Sequence, residues 1–525
     1  MRKGFYKYAK LYAVMLSMGM MIGLTACGNS SASDEVEVVE EADEDSEDLE
    51  EEDGDFEDEE APDTLEADDD ISYSSDHLTE EDITVNETKE NSADGEHAIS
   101  ADGETTEYSN VKVVKTGDSE GDEADFYGEN AAIFATNGAS LTLSEILVES
   151  NGTHANGVFS YGEGTTVTIS DSVINTTGNC SGGLMTTGGG TMNAENLTIH
   201  TTGNSSAAIR SDRGGGTVNI NGGYYTTDGT GSPVIYSTAD ITVEDAYLES
   251  TASEGIVVEG KNSVTLEGVE LVADNNQKNS DKSDNFEAVM IYQSMSGDAD
   301  QGTASFTMDG SSLTNKNGDV FFVNNTQAVI TLMDSEIVNE DASGLLLRAA
   351  AAGWGSEGSN GGNVTLKTGQ QELNGDIVVD SVSTLNMYLA DESTFTGAIN
   401  SDGQAGDVYV EISGASTWKL TADSYISSLT CDATSIDLNG YKLYVDGKEY
   451  EEGTESSGEA VEAKVSEGGG NMEAPPDGNG GPGDGSTPPD GEKPAGDPPS
   501  GEKPEGDPPT GEKPEGDPPA KPDSE

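Results

Sequence analysis

The sequence predicts an all-β protein. The expected fold is a single-stranded right-handed parallel β-helix, with a disordered acidic arm before it and a Pro/Gly-rich tail after it. Three observations predict this. One phrase is written six times between about Ala131 and Ala273. Each copy holds short strands with period-two alternation, ended by Gly, Asn, Asp or Ser. No window carries a sustained helical stripe of about 3.6 residues.

Each copy opens with an apolar run: Ala132-Ile133-Phe134, Gly157-Val158-Phe159, Gly183-Leu184-Met185, Ala208-Ile209-Arg210, Val234-Ile235-Tyr236 and Gly255-Ile256-Val257. Subtracting residue numbers, the steps between openings are 25, 26, 25, 26 and 21. A two-tooth strand follows, such as Leu141/Leu143, Val167/Ile169 and Val218/Ile220. A third apolar patch comes next, such as Ile146/Val148, Val173 and Tyr224/Tyr225. Three copies then turn through a Thr-Thr step at Thr176, Thr201 and Thr226. A period in the twenties with three strands per period is a solenoid coil. The fixed Leu/Asn lattice of leucine-rich repeats is missing. One coil cannot bury its own teeth, but stacked coils bury a continuous core.

The coils continue with insertions. Residues 274–285 form one polar excursion, and the Gly-rich stretch 349–363 with Trp354 forms another. The coils are expected over 111–450, after a transitional stretch over 71–110 that supplies the first coils or a cap. Residues 451–525 read as a tail. Its end repeats Gly-Glu-Lys-Pro at Gly491, Gly501 and Gly511, and such density of Pro and Gly favours an extended coil without a core.

The chain carries a formal net charge of −79. Nucleic acid is therefore excluded as a partner, because its phosphates would be repelled. From Asp34 to Asp70 there are 24 acidic residues and no Lys or Arg. That run cannot collapse, so 27–70 is expected as an extended linker. Three cysteines give no disulfide framework. Cys180 and Cys431 are many coils apart and cannot pair in this fold.

Arg2, Lys3, Lys7 and Lys10 precede an apolar run from Leu11 to Leu24, the pattern of a signal peptide over 1–26. Leu24-Thr25-Ala26-Cys27-Gly28 resembles a bacterial lipobox. The resemblance implies a lipid on Cys27 and an extracytoplasmic protein anchored to the membrane at the bacterial cell surface.

Alternation sorts the faces of the opening strand. The second and fourth positions point inward. The third and fifth point outward. The third reads Phe134, Phe159, Met185, Arg210, Tyr236 and Val257; the fifth includes Tyr161, Asp212 and Glu259. The same register continues to Met290 with Tyr292, Phe322 with Asn324 and Leu346 with Arg348. Either a loop or terminal segment covers this outer ladder, or it is a ligand surface. As a surface, Phe134, Phe159, Tyr161, Tyr236 and Tyr292 would stack on sugar rings, with Arg210, Asp212 and Glu259 bonding their polar groups. A protein partner is the remaining use.

Catalytic patterns are weak. His77, His97, His154 and His200 have no assignable carboxylate partner. No His/Cys metal spacing occurs, and calcium held by turn carboxylates has no fixed-spacing loop behind it. Gly214-Gly215-Gly216 follows a strand and is a turn, not a phosphate loop.

Over about 110–450 the coil phrase resembles the pectin-lyase-like right-handed parallel β-helix superfamily. The resemblance is of architecture, and that superfamily includes lyases, polygalacturonases, adhesins and noncatalytic carbohydrate-binding proteins. The polygalacturonase pattern has no match here. If the chain were a calcium-dependent lyase of acidic polysaccharide, Arg210 or Arg213 with Asp212 would be the candidates. The expectation is a noncatalytic surface lipoprotein that binds polysaccharide or another cell-surface partner, without a resident cofactor. Fold does not decide between these.

Overall fold

The computed structural model describes residues 77–403 and 406–464. The expected signal segment, Cys27, the expected acidic linker and the repeated tail lie outside them. Within them the chain winds as a parallel β-helix. The opening strands form one parallel sheet of eleven strands, taken in chain order. It runs from Ile99–Asp102 through Ile133–Thr136, Val158–Tyr161, Leu184–Thr187, Ile209–Ser211, Ile235–Ser237 and Ile256–Glu259 to Glu287–Tyr292, and ends with Asp319–Asn324, Leu347–Ala349 and Ile377–Val379.

The register follows the repeat. Ile133 pairs with Val158, Val158 with Leu184, Leu184 with Ile209, Ile209 with Ile235, Ile235 with Ile256, and Ile256 with Val289. All seven lie in one continuous core. The fourth-position residues Ala135, Ser160, Thr186, Ser211, Ser237 and Val258 are buried as well. The serine hydroxyls find backbone, with Ser160 donating to the Thr191 carbonyl at 3.0 Å and Ser237 to that of Ala239 at 2.8 Å, whereas Thr186 Oγ1 has no partner. Serine can therefore face inward at this position without losing hydrogen bonds.

The two-tooth strand and the third patch run together in Ser140–Ser150, Thr166–Thr176, Gly190–Thr201 and Gly216–Thr227. Each such strand bends at a left-handed residue: Glu145 at φ 51°, Asp171 at 47°, Asn196 at 53° and Gly222 at 70°, the last followed by Gly223 at 106°. Asn, Asp and Gly suit that conformation, and Glu145 does not.

The Thr-Thr turns have a structural reason. Thr176 donates to the Ser181 carbonyl at 2.6 Å, and Thr227 to that of Ser232 at 2.6 Å. Ser181, Ser206 and Ser232 stack as a ladder, with the Ser181 amide donating to Ser206 Oγ and the Ser206 amide to Ser232 Oγ, both at 2.9 Å. The corner is closed by a glycine column. A Cβ on Gly178 would lie 1.9 Å from the Gly152 carbonyl oxygen, so no other residue fits there.

Three details differ from the sequence reading, while the residues before 111 take one of the two roles expected of them. Leu346 is a core residue, and Arg348 takes the outward position beside Phe322. Two adjacent leucines left that register ambiguous. Ile174, not Val173, faces the core in its coil; Val173 packs outside under Ile83 with Leu147. The pairing of Glu87–Asn91 with Val111–Lys115 makes residues before 111 part of the first coils. The chain also does not stop near Tyr450. Ser456 pairs antiparallel with Cys431, and the segment then reaches Asn386 at Val461 and Asn363 at Lys464.

Candidate ligand-binding site

The outward column of the opening sheet is mostly covered. A short helix, α1 (Asp122–Tyr127), lies over its first part. Gly128 ends α1 at φ 78°, and a Cβ there would come within 2.7 Å of the Phe134 ring. Beneath α1, Phe159 and Met185 are fully buried and pack with Ala131, Phe134 and Tyr161. Phe134 stacks on His97 at 4.5 Å, and Tyr161 meets Tyr127 edge-on at 5.7 Å. Thr187 donates to the Phe126 carbonyl at 2.7 Å. Phe134, Phe159 and Tyr161 are thus the core of a cover, not an open platform. Of the uses the sequence left open for this column, cover by another segment holds at these three residues.

The middle of the column is a belt of charges. Arg210 Nη2 binds Asp212 Oδ2 at 2.9 Å. The Arg213 amide donates to Asp212 Oδ1 at 3.0 Å. The Arg213 side chain is held three ways: Nε to Asp298 at 2.7 Å, Nη1 to Asp122 at 2.9 Å, and the guanidinium 3.6 Å over the Phe126 ring. Burial pushes the Asp212 carboxyl up to about 6, with Asp298 adding to it and Arg210 opposing it. Burial works against the charges of Arg210 and Asp125, yet Asp212 and Asp125 keep Arg210 protonated and His154 and the arginines keep Asp125 ionised.

His154 Nδ1 lies 2.9 Å from Asp125 Oδ1, in the carboxylate pair that sequence reading could not assign. His200 pairs with Asp228 at 2.8 Å. The ligand atoms of Asp125, His154 and Cys180 come within 4.8 Å of one another. The Cys180 side chain already has an interaction of its own, so this trio is not read as a metal centre. Cys431 is free and buried.

Beyond the belt, the two excursions fold onto the column and leave a pocket. Val257, Met290 and Phe322 pack with Tyr236, Tyr292, Ala350, Ala352 and Trp354. The cavity is about 110 Å³. Its apolar wall includes Tyr236, Val257, Met290, Tyr292 and Trp354, and its polar wall includes Glu254, Asn275, Lys278 and Glu287. Trp354 meets Tyr292 edge-on, with ring centres 5.2 Å apart. The tyrosines are fixed from behind. The Tyr236 hydroxyl donates to Glu259, which also accepts from the Ser294 hydroxyl and, at 3.1 Å, from the Ser294 amide. The Tyr236 and Tyr292 hydroxyls lie 3.5 Å apart. Glu259 is completely buried and orients rings instead of meeting a ligand.

Of the eight residues expected to bind ligand, Tyr236 and Tyr292 line this pocket, while Arg210 and Asp212 belong to the neighbouring belt. Trp354, Glu254 and Glu287 were missed. Trp354 was visible only as an aromatic in a polar excursion. A scan against protein-family profiles and a search of curated proteins both find no match to this chain.

Proposed function

We propose that the chain is a bacterial surface lipoprotein whose β-helix is a noncatalytic rod that binds polysaccharide. The observation that carries this is the pocket at Tyr236, Tyr292 and Trp354, where aromatic faces adjoin Asn275, Lys278 and two glutamates. Aromatic faces with a few polar groups suit a sugar ring, whose two faces are apolar and whose rim is hydroxylated. The Tyr236 ring is held by Glu259, which keeps the ordering cost of binding low. A cavity of about 110 Å³ suits one sugar residue at a chain end or a protruding branch.

The lyase reading requires an arginine that releases a proton. Arg213 is held by Asp298 and Asp122, and Arg210 by Asp212, all of which favour the charged form. This argues for binding over catalysis. A lipid on Cys27 rests on the lipobox, and the acidic linker would carry the rod away from the membrane.

Affinity electrophoresis over a glycan panel tests the reading. At least one glycan should retard the protein, with the shift weakened in Trp354→Ala and Tyr236→Ala. Retardation by none would leave a protein partner or a structural role. Release of unsaturated ends from polygalacturonate with calcium, lost in Arg210→Ala, would establish the lyase instead.

A further inference from the structure

We propose that the pocket recognises a protonated amino group, so that the glycan it takes carries an amino sugar with a free nitrogen. The inference rests on the glycan reading above. Three aromatic rings, Tyr236, Tyr292 and Trp354, line one cavity with two carboxylates, Glu254 and Glu287. Aromatic faces attract cations through the ring quadrupole, and a desolvated carboxylate binds an ammonium by charge-assisted hydrogen bonds. A neutral hydroxyl gains neither to the same degree.

Glu287 is the decisive group. It is 2% exposed, and its Oε2 has no hydrogen-bond partner. A nearby cation does not supply one: Arg348 turns both Nε and Nη2 to Asp319, at 2.5 and 3.4 Å. Lys278, the lysine of the pocket wall, is paired with Asp284 at 2.5 Å. A buried carboxyl oxygen without a donor is costly unless something fills the place. An ammonium entering beside the rings would fill it. The chain already sets one ammonium against this aromatic wall, with Lys282 Nζ 5.8 Å from the centre of the Trp354 ring.

The charged groups facing Glu287 are Glu254, Asp319 and Arg348. Burial first, and then the two carboxylates, push the Glu287 carboxyl well above the usual carboxylate range, with Arg348 opposing them. An arriving cation reverses that balance. An ammonium beside Glu287 favours its ionised form, so binding is linked to proton release and affinity rises with pH until the ligand amine itself loses its charge.

The experiment is calorimetric titration of the whole mature chain with three probes: a glucosamine pentamer, its fully N-acetylated counterpart and cellopentaose. The glucosamine pentamer should bind about tenfold or more tighter than the other two, the scale of one desolvated cation site. Glu287→Gln should bring the three within about threefold of one another. Proton release, read from heats in two buffers of different ionisation enthalpy, should vanish in the same variant. Glu254→Gln, at a half-exposed site, should weaken the preference without touching the core. Equal affinity for all three probes would overturn the ammonium inference and leave the glycan reading standing. So would a preference that survives both substitutions. Binding of none would remove the glycan reading and the inference with it.

Discussion

Asp212→Asn should become stabilising as pH rises. The Asp212 carboxyl is 3% exposed, and burial with Asp298 nearby raises it from 3.8 to about 6. The folded state therefore holds this proton more tightly than the unfolded chain. Stability from that proton is fully present below pH 3.8 and is lost as pH rises through about 6. A shift of about two units is worth about 3 kcal/mol. Asparagine resembles the protonated carboxyl and does not ionise. The variant and the natural protein should thus match near pH 4, and the variant should be about 3 kcal/mol more stable at pH 7. Urea melts followed by tryptophan fluorescence across that range check it. A difference independent of pH would refute the reasoning. So would a variant that weakens as pH rises, because the Arg210 pair would then outweigh desolvation.

The other predictions concern the covers and the coil. Phe159→Ala empties a fully buried site between α1 and the opening sheet, and should cost about 3–5 kcal/mol in the same melts. Arg213→Gln removes the ties to Asp122 and Asp298, so hydrogen exchange should quicken in α1 and around Asp298 while the inner strands keep their protection. Glu145→Gly relieves a left-handed residue at φ 51° and should raise stability by about 0.5–1 kcal/mol. Unchanged or lower stability there would mean that the Asn110 hydrogen bond to Glu145 matters more than the backbone.

The winding was legible in the sequence because each coil repeats the demands of its neighbours. Residues such as Ile133, Val158 and Leu184 meet the same core at the same step, so their spacing and alternation alone imply the register. The Thr-Thr turns carried the same message through Thr176 and Thr227. What fails the repeat was not legible. Leu346 is the middle of the three leucines 345–347 that precede Arg348, and period alone does not say which leucine points inward. The covers are insertions, and an insertion has no periodic partner to mark where it lands. Nothing in the spacing brings Asp298 to Arg213, 85 residues away, or Trp354 to Tyr292. Local alternation thus determined which side chains leave the core, while only the tertiary structure decided which of those meet solvent. The physical reason is that alternation follows from the backbone of one strand, whereas burial of an outward face depends on chain that packs there from elsewhere.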